Sequence, residues 1–204
     1  AFGLWAGGTE RLKHLTLGME KAHSWSVDGH KTLNTPYDSG ILLCRDKEAL
    51  VTALQATGAY LTSCYSESRD GMLYTPEMSR RARAIELWAA LKYLGRSGVD
   101  ELVVGLHQRA REFADQLKEA GFDIHNDVVF NQVIVSPSSD ELVTQSIMEA
   151  IQKSGECWVG GSVWQGNKVI RISVCSWVTS PDDIRRSVQA FIKARDSVIA
   201  VSEK

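Results

Sequence analysis

SWSVDGHK, the stretch at residues 24–31, decides how this chain is organised. The alternation of apolar and polar residues before Lys31 predicts a short strand, and the turn PYDSG at 36–40 leads into a second apolar strand. Lys31 is therefore expected in a tight loop between two buried strands. Removal from water disfavours the charged form of an amine, which makes the amine a nucleophile toward carbonyl carbons. The plainer alternative is a lysine that reaches solvent or pairs with Asp28 or Asp38, and spacing alone leaves both open.

Three segments of the chain resemble one enzyme family, the pyridoxal-phosphate-dependent group II amino acid decarboxylases. AHSWSVDGHK at 22–31, followed by LN at 33–34 and PYDSG at 36–40, resembles the segment that carries the cofactor lysine. AFG at 1–3 is similar to the residues that follow the family's aspartate for the pyridine nitrogen. IRISVCSW at 170–177 is similar to the last strand of the family's small domain. The three matches occur in the family's order.

The resemblance implies an α/β fold, the C-terminal part of a fold-type-I pyridoxal phosphate enzyme of the aspartate aminotransferase superfamily. Residues 1–84 would end the large cofactor-binding domain, and residues 85–204 would form the small α+β domain with its linking helix. The family's pyridine-nitrogen aspartate, phosphate-binding helix start and ring-stacking histidine would all precede Ala1. We therefore expect an enzyme that is incomplete without an N-terminal part.

The function that the resemblance implies is decarboxylation of an amino acid, a carboxy-lyase reaction with pyridoxal 5'-phosphate. Lys31 would hold the cofactor as a Schiff base and later release product. His30 would donate a hydrogen bond to the cofactor phosphate. Ser26 and Asp28 share a strand face and could line the cofactor pocket, although Asp28 could instead fix the loop through backbone amides. An aminotransferase or carbon-carbon lyase on the same scaffold, or an inactive fragment that serves as an assembly module, are the alternatives.

Arg171 lies within an otherwise apolar strand. An unpaired charge there would cost several kcal/mol, so an anionic partner is expected. The resemblance favours a substrate carboxylate, for which Arg171 would be the binding residue. An internal ion pair with an aspartate or glutamate is the alternative, and the sequence leaves both open.

The polar segment at 58–75 falls where the family has a mobile active-site loop. Tyr60, Tyr65 and Tyr74 are all candidates for the tyrosine that returns a proton in several family members. Arg80, Arg81 and Arg83 follow this segment, and the sequence favours a solvated or salt-bridged face for them over an anion site.

The composition excludes several other classes of protein. A net charge of -2 and a pI near 6.2 give no electrostatic basis for binding nucleic acid or anionic membranes. No apolar run approaches the length of about 20 residues that spans a bilayer. The four cysteines and the histidines lack ligand spacing, which predicts reduced thiols, a cytoplasmic protein and no metal site. The expected partners are a small amino acid substrate and either a second copy in a homodimer or the missing N-terminal segment.

Apolar periodicity and capping signals predict the remaining elements. Helices are expected at 46–57, 76–94, 99–121, 138–153 (through a Ser138 and Glu141 capping box) and from Ser180-Pro181 onward. Strands are expected at 128–135, 157–164 and 169–175, the last two joined by the turn at 165–167. Core-facing positions of the final helix are expected at Ile184, Val188, Phe191 and Ile199.

Overall fold

The computed structural model describes residues 1–54, 70–137 and 141–202. Its helices are α1 (Gly29–Thr32), α2 (Lys47–Leu54), α3 (Ala84–Glu119), α4 (Glu141–Ser154) and α5 (Pro181–Ser202). Its strands are β1 (Ser24–Asp28), β2 (Gly40–Cys44), β3 (Asp123–Ile124), β4 (Gln132–Ser136), β5 (Gly160–Trp164) and β6 (Asn167–Ser173). Short 3₁₀ turns precede β1.

Two antiparallel sheets organise these elements. β1 pairs with β2, so that Asp28 at the end of β1 lies opposite Gly40. The second sheet has the order β3-β4-β6-β5, and each pair of neighbours is antiparallel. The expected α/β class is confirmed.

The larger core lies between the second sheet and the helices α3, α4 and α5. Alternate residues of β4 and β6 point into it, as the period of two in a strand requires. Its fully or almost fully buried members include Leu117, Val133, Val135, Ile147, Ile151, Ile170, Ile172, Ile184, Val188 and Phe191. The expectation for Ile199 was wrong, because this side chain is 40% exposed near the end of α5.

A bend divides α3 at the glycine where the sequence predicted a helix end. Gly95 has φ 61° and ψ −172°, a conformation that glycine adopts without the steric cost of a side chain. The structure joins the two expected helices across this bend. α3 then ends with Gly121 at φ 85° and a hydrogen bond from Phe122 N to Leu117 O, as the glycine signal predicted.

The arginines before α3 form ion pairs, and the helix starts after them, later than expected. The prediction of a helix from residue 76 was wrong, since α3 begins at Ala84. Arg80 pairs with Glu77 at 2.9 Å, and Arg83 pairs with Asp38 at 2.6 Å. Both pairs lie in a non-helical segment with bends at 75–79, and the expected salt-bridged arrangement is confirmed.

In the second half of the chain, the predicted turn between two strands and the predicted start of the last helix are both present. Gln165 and Gly166, with φ of 49° and 88°, form the tight turn between β5 and β6. Ser180 caps α5, because Asp183 N donates to Ser180 Oγ and Ser180 N donates to Asp183 Oδ2. The strand predicted at 128–135 is shorter and begins at Gln132. The expected cap Ser138 lies outside the described residues.

The first residues of the chain pack beside β1 and α3. Ala6 and Leu12 are buried with Val99 and Val103 in a second, smaller core. Asp28 N donates to the carbonyl of Ala1 at 3.1 Å, which brings the N-terminal residues next to the end of β1. This contact places them beside Lys31.

Within the described ranges, no helix combines the length and the apolar character needed to cross a bilayer. The division into residues 1–84 and 85–204 stays a prediction.

Candidate active site

The turn that carries Lys31 is fixed by its first residue, Gly29. Gly29 N donates to Ser39 O at 2.8 Å, so the start of α1 is tied to the segment before β2. A Cβ added to Gly29 would lie 2.8 Å from Ser39 Oγ and 3.1 Å from Thr35 Oγ1. These distances leave no room for a side chain, and the turn can close only with glycine there.

Lys31 emerges from this turn as an ion-paired amine. Its Nζ lies 2.6 Å from Asp28 Oδ2 and 5.4 Å from the ring centroid of Phe2. The side chain of Lys31 is 32% exposed. The expectation of a packed interior between buried strands was therefore wrong, because most residues of β1 and β2 remain open to solvent in the described part of the chain. The alternative of a pairing with Asp28 is the one that the structure shows.

Asp28 contacts the lysine rather than backbone amides. The hydrogen bond from Lys31 holds the pKa of the Asp28 carboxyl below its ordinary value, against an opposing effect of burial. Two residues earlier on β1, Ser26 is exposed.

Replacing Asp28 with asparagine is expected to flatten the acid limb of the stability profile. A lowered folded-state pKa means that the Asp28–Lys31 pair stabilises the fold above about pH 4 and that this stabilisation is lost as pH falls through the folded-state value. The loss at neutral pH should stay below about 1 kcal/mol, since the pair is partly exposed. Urea unfolding from pH 7 to pH 2 measures both effects. Asp127→Asn changes the same charge at a carboxylate without an ion pair among the described residues, and an equal flattening there would contradict the assignment.

His30 is held by the same turn, and its ring lies near the Asp28 oxygen that also binds Lys31. Its Nδ1 accepts a hydrogen bond from Ser39 N at 3.1 Å, so Nε2 carries the ring proton. The ring packs on Tyr37 with centroids 4.0 Å apart, and Nε2 lies 3.6 Å from Asp28 Oδ2.

A pocket of about 500 Å³ joins Lys31 to the second sheet. Lys31 and Arg171 both line it, although they are 140 residues apart in sequence. Of the other predicted cofactor contacts, none (His30, Ser26 or Asp28) is among the described residues that line the pocket. The other lining residues are Ala1, Phe2, Gly3, Asn126, Asp127, Val129, Phe130, Asn131 and Gln132.

Arg171 points out of the apolar core. Its neighbours Ile170 and Ile172 are buried, whereas Arg171 is exposed, which follows from the alternation along β6. Ile134 of β4 and Gly160 of β5 lie opposite it in the sheet. Arg171 has no ion-pair partner within residues 1–54, 70–137 and 141–202, so the expected internal ion pair is not formed there. Arg171 thus lines the pocket without an acidic partner from these described residues.

Sequence reasoning missed the loop at 125–131, which forms one side of the pocket. Asn126 shapes it by donating from Nδ2 to Gln132 O and accepting from Ile134 N, and it leaves the Asp127 carboxylate in the lining. The polar run HND at 125–127 between two apolar stretches was the available signal.

The tyrosine candidates for proton return are only partly described. Tyr60 and Tyr65 lie outside the described residues. Tyr74 ends a short 3₁₀ turn, Gly71–Tyr74, where its ring lies 5.9 Å from Lys47 Nζ.

A family model described as the pyridoxal-dependent decarboxylase conserved domain matches residues 5–136, and the chain belongs to this family. Tyrosine decarboxylase 2 of Narcissus pseudonarcissus is 23% identical over 202 residues, covering 94% of this chain and 40% of that protein. L-2,4-diaminobutyrate decarboxylase of Rhizobium meliloti (strain 1021) is 25% identical over 184 residues, covering 85% of this chain and 37% of that protein. The structure of Oryza sativa TDC with PLP and tryptamine aligns with a TM-score of 0.87 and 23% identity, covering 97% of this chain and 43% of that one.

The family predicted from the three motifs is thereby confirmed. The chain spans about 40% of the length of the curated relatives it matches.

Proposed function

We propose that this chain supplies the lysine-bearing part of a pyridoxal phosphate site for decarboxylation of an amino acid. The observation that carries the proposal is the presence of Lys31 and Arg171 on one pocket. The described residues fit the cofactor chemically, since a primary amine suits its aldehyde and an unpaired guanidinium suits an anion. A volume of about 500 Å³ also lies within the range of small-molecule sites.

Each side chain has a distinct task in this proposal. Lys31 would hold the cofactor through Nζ, and Asp28, at 2.6 Å, would fix the position of that amine. When bound, pyridoxal phosphate supplies the conjugated ring that takes up the electron pair of the breaking bond. Arg171 would bind the substrate carboxylate and hold it in one orientation. It binds and positions the substrate and takes no part in bond making.

His30 and Ser26 are proposed as further contacts to the cofactor. The Nε2 proton of His30 is available because Nδ1 already accepts from Ser39. Ser26 offers an exposed hydroxyl on the same strand face as Asp28.

The first experiment adds pyridoxal phosphate to the purified chain, reduces with borohydride and locates the label by peptide mass. Label at Lys31 alone supports the proposal, whereas label spread over surface lysines overturns it. A second sample of the chain with pyridoxal phosphate, not treated with borohydride, is then incubated with tyrosine, tryptophan and 2,4-diaminobutyrate that carry an isotope label in the carboxyl group. Carbon dioxide with the matching amine supports a carboxy-lyase, and a keto acid product identifies an aminotransferase instead.

We further propose a cytoplasmic protein that forms a homodimer or associates with the N-terminal part that relatives possess. The free thiols of Cys44, Cys157 and Cys175 support a reducing compartment. The exposed apolar residues Ile85 and Trp88 on α3 support association. Sedimentation equilibrium tests the oligomeric state.

A further inference from the structure

Asn34, two residues after α1, connects the lysine turn to the second sheet. It has φ 49°, in the left-handed region that asparagine tolerates better than most residues. Its Nδ2 donates to Lys31 O at 2.8 Å and to Cys175 O at 3.2 Å. Its Oδ1 accepts from Trp177 N at 2.9 Å. One side chain therefore binds backbone groups on both sides of the pocket.

The segment that Asn34 holds is a direct continuation of the strand that carries Arg171. β6 ends at Ser173, and Val174 is fixed next by two hydrogen bonds with Asn131. Val174 N donates to Asn131 O, and Asn131 Nδ2 donates to Val174 O, both at 2.9 Å. Asn131 is buried, so this anchor has little competition from water. The segment at 175–177 is therefore joined to β6 through a fixed residue, so a contact to this segment is also a contact to the strand that carries Arg171.

We propose that Asn34 is a positioning residue that sets the place of the Arg171 guanidinium relative to the Lys31 amine. The inference rests on the proposed function, in which these two groups act on one substrate. Hydrogen bonds run from the carbonyl of Lys31 through Asn34 to residues 175–177 and from there into β6. Without the side chain of Asn34, the turn and the strand keep their own structures but lose this link.

A pair of aromatic aldehydes tests the link without any knowledge of the substrate. 4-Formylbenzoate condenses with the Lys31 amine and releases water, and cyanoborohydride reduces the resulting C=N bond to a secondary amine. Its methyl ester reacts in the same way but carries no charge for Arg171 to bind. The rate of Lys31 labelling by the acid, divided by the rate for the ester, reports how well Arg171 is placed.

Asn34→Gly is the informative variant, since glycine keeps the left-handed backbone and removes all three side-chain hydrogen bonds. We expect its acid-to-ester ratio to fall about fivefold from the wild-type ratio while the ester rate stays unchanged. Arg171→Met should show the same loss of preference. Gln165→Gly is the matched control, because Gln165 has the same φ of 49°, is exposed and precedes β6, and its ratio should equal that of the wild type.

An unchanged ratio in folded Asn34→Gly overturns the inference, as does a wild-type chain that shows no preference for the acid. Asn34→Asp provides a second test, since it keeps the acceptor for Trp177 N and loses both donors. Faster amide exchange at Trp177 in Asn34→Gly with an unchanged ratio would mean that Asn34 only stabilises the loop. Failure of the proposed function is distinguishable, because it appears as absent pyridoxal phosphate label at Lys31 in every variant.

Discussion

Lys31→Arg is expected to abolish borohydride-dependent attachment of pyridoxal phosphate to the chain. Arginine keeps the cation that Asp28 binds, but its guanidinium stays protonated and cannot attack an aldehyde. Any decarboxylation should fall by at least about 100-fold, because the variant lacks the amine that is proposed to bind the cofactor and to transfer protons. Absorbance of the bound cofactor and peptide mass after reduction measure the attachment.

Lys21→Arg is the control for this experiment. Lys21 is an exposed lysine in the same N-terminal part of the chain, and its loss should leave the attachment unchanged. If Lys31→Arg retains a full equivalent of label at one other lysine, Lys31 is not the attachment residue.

Phe191→Ala is expected to give the largest loss of stability among single core substitutions, about 3–5 kcal/mol in the free energy of unfolding. Phe191 is fully buried in α5 and meets the rings of Phe113 and Phe122 edge to face, at centroid distances of 5.7 and 5.8 Å. Its removal leaves a cavity between α5, α3 and the start of β3, and it also removes two aromatic pairs. Urea unfolding followed by circular dichroism measures the loss.

Ile199→Ala on the same helix should cost less than about 1 kcal/mol, because this side chain is largely outside the core. Equal losses for the two variants would contradict this account, because alanine favours the helix at both positions and the buried aromatic cluster would then add nothing.

Much of the local structure could be predicted where a single residue type enforces it. Gly95, Gly121 and the Gln165-Gly166 turn each require a backbone conformation that few residues adopt, so their positions were visible in the sequence. The late start of α3 was not visible. The residue before α3, Arg83, binds Asp38, which is 45 residues away in sequence, and no local pattern reports such a pair. β3 was missed because two residues are too few to show a period.

For the candidate site, the sequence likewise predicted the local features and missed those that depend on the fold. The motif around Lys31 predicted the lysine and the family, since it is local. The exposure of that lysine was predicted wrongly, because burial depends on what covers β1 and β2. The sequence could not decide whether Arg171 binds a substrate carboxylate or an internal acidic residue. Only the sheet register shows that its side chain points out of the core while those of its neighbours point into it. Asn34 gave no signal, because its partners at 175–177 become neighbours only through the fold.

The bend at Gly95 makes α3 two units of unequal local stability, although its backbone is a single run of 36 residues. The part after the bend buries Val99, Val103 and Leu117, so its amides open only when the larger structure unfolds. The part before the bend exposes Trp88 to 65%, and it can open by itself at a lower free energy. Protease and solvent deuterium therefore reach one end of this helix while the other end stays closed.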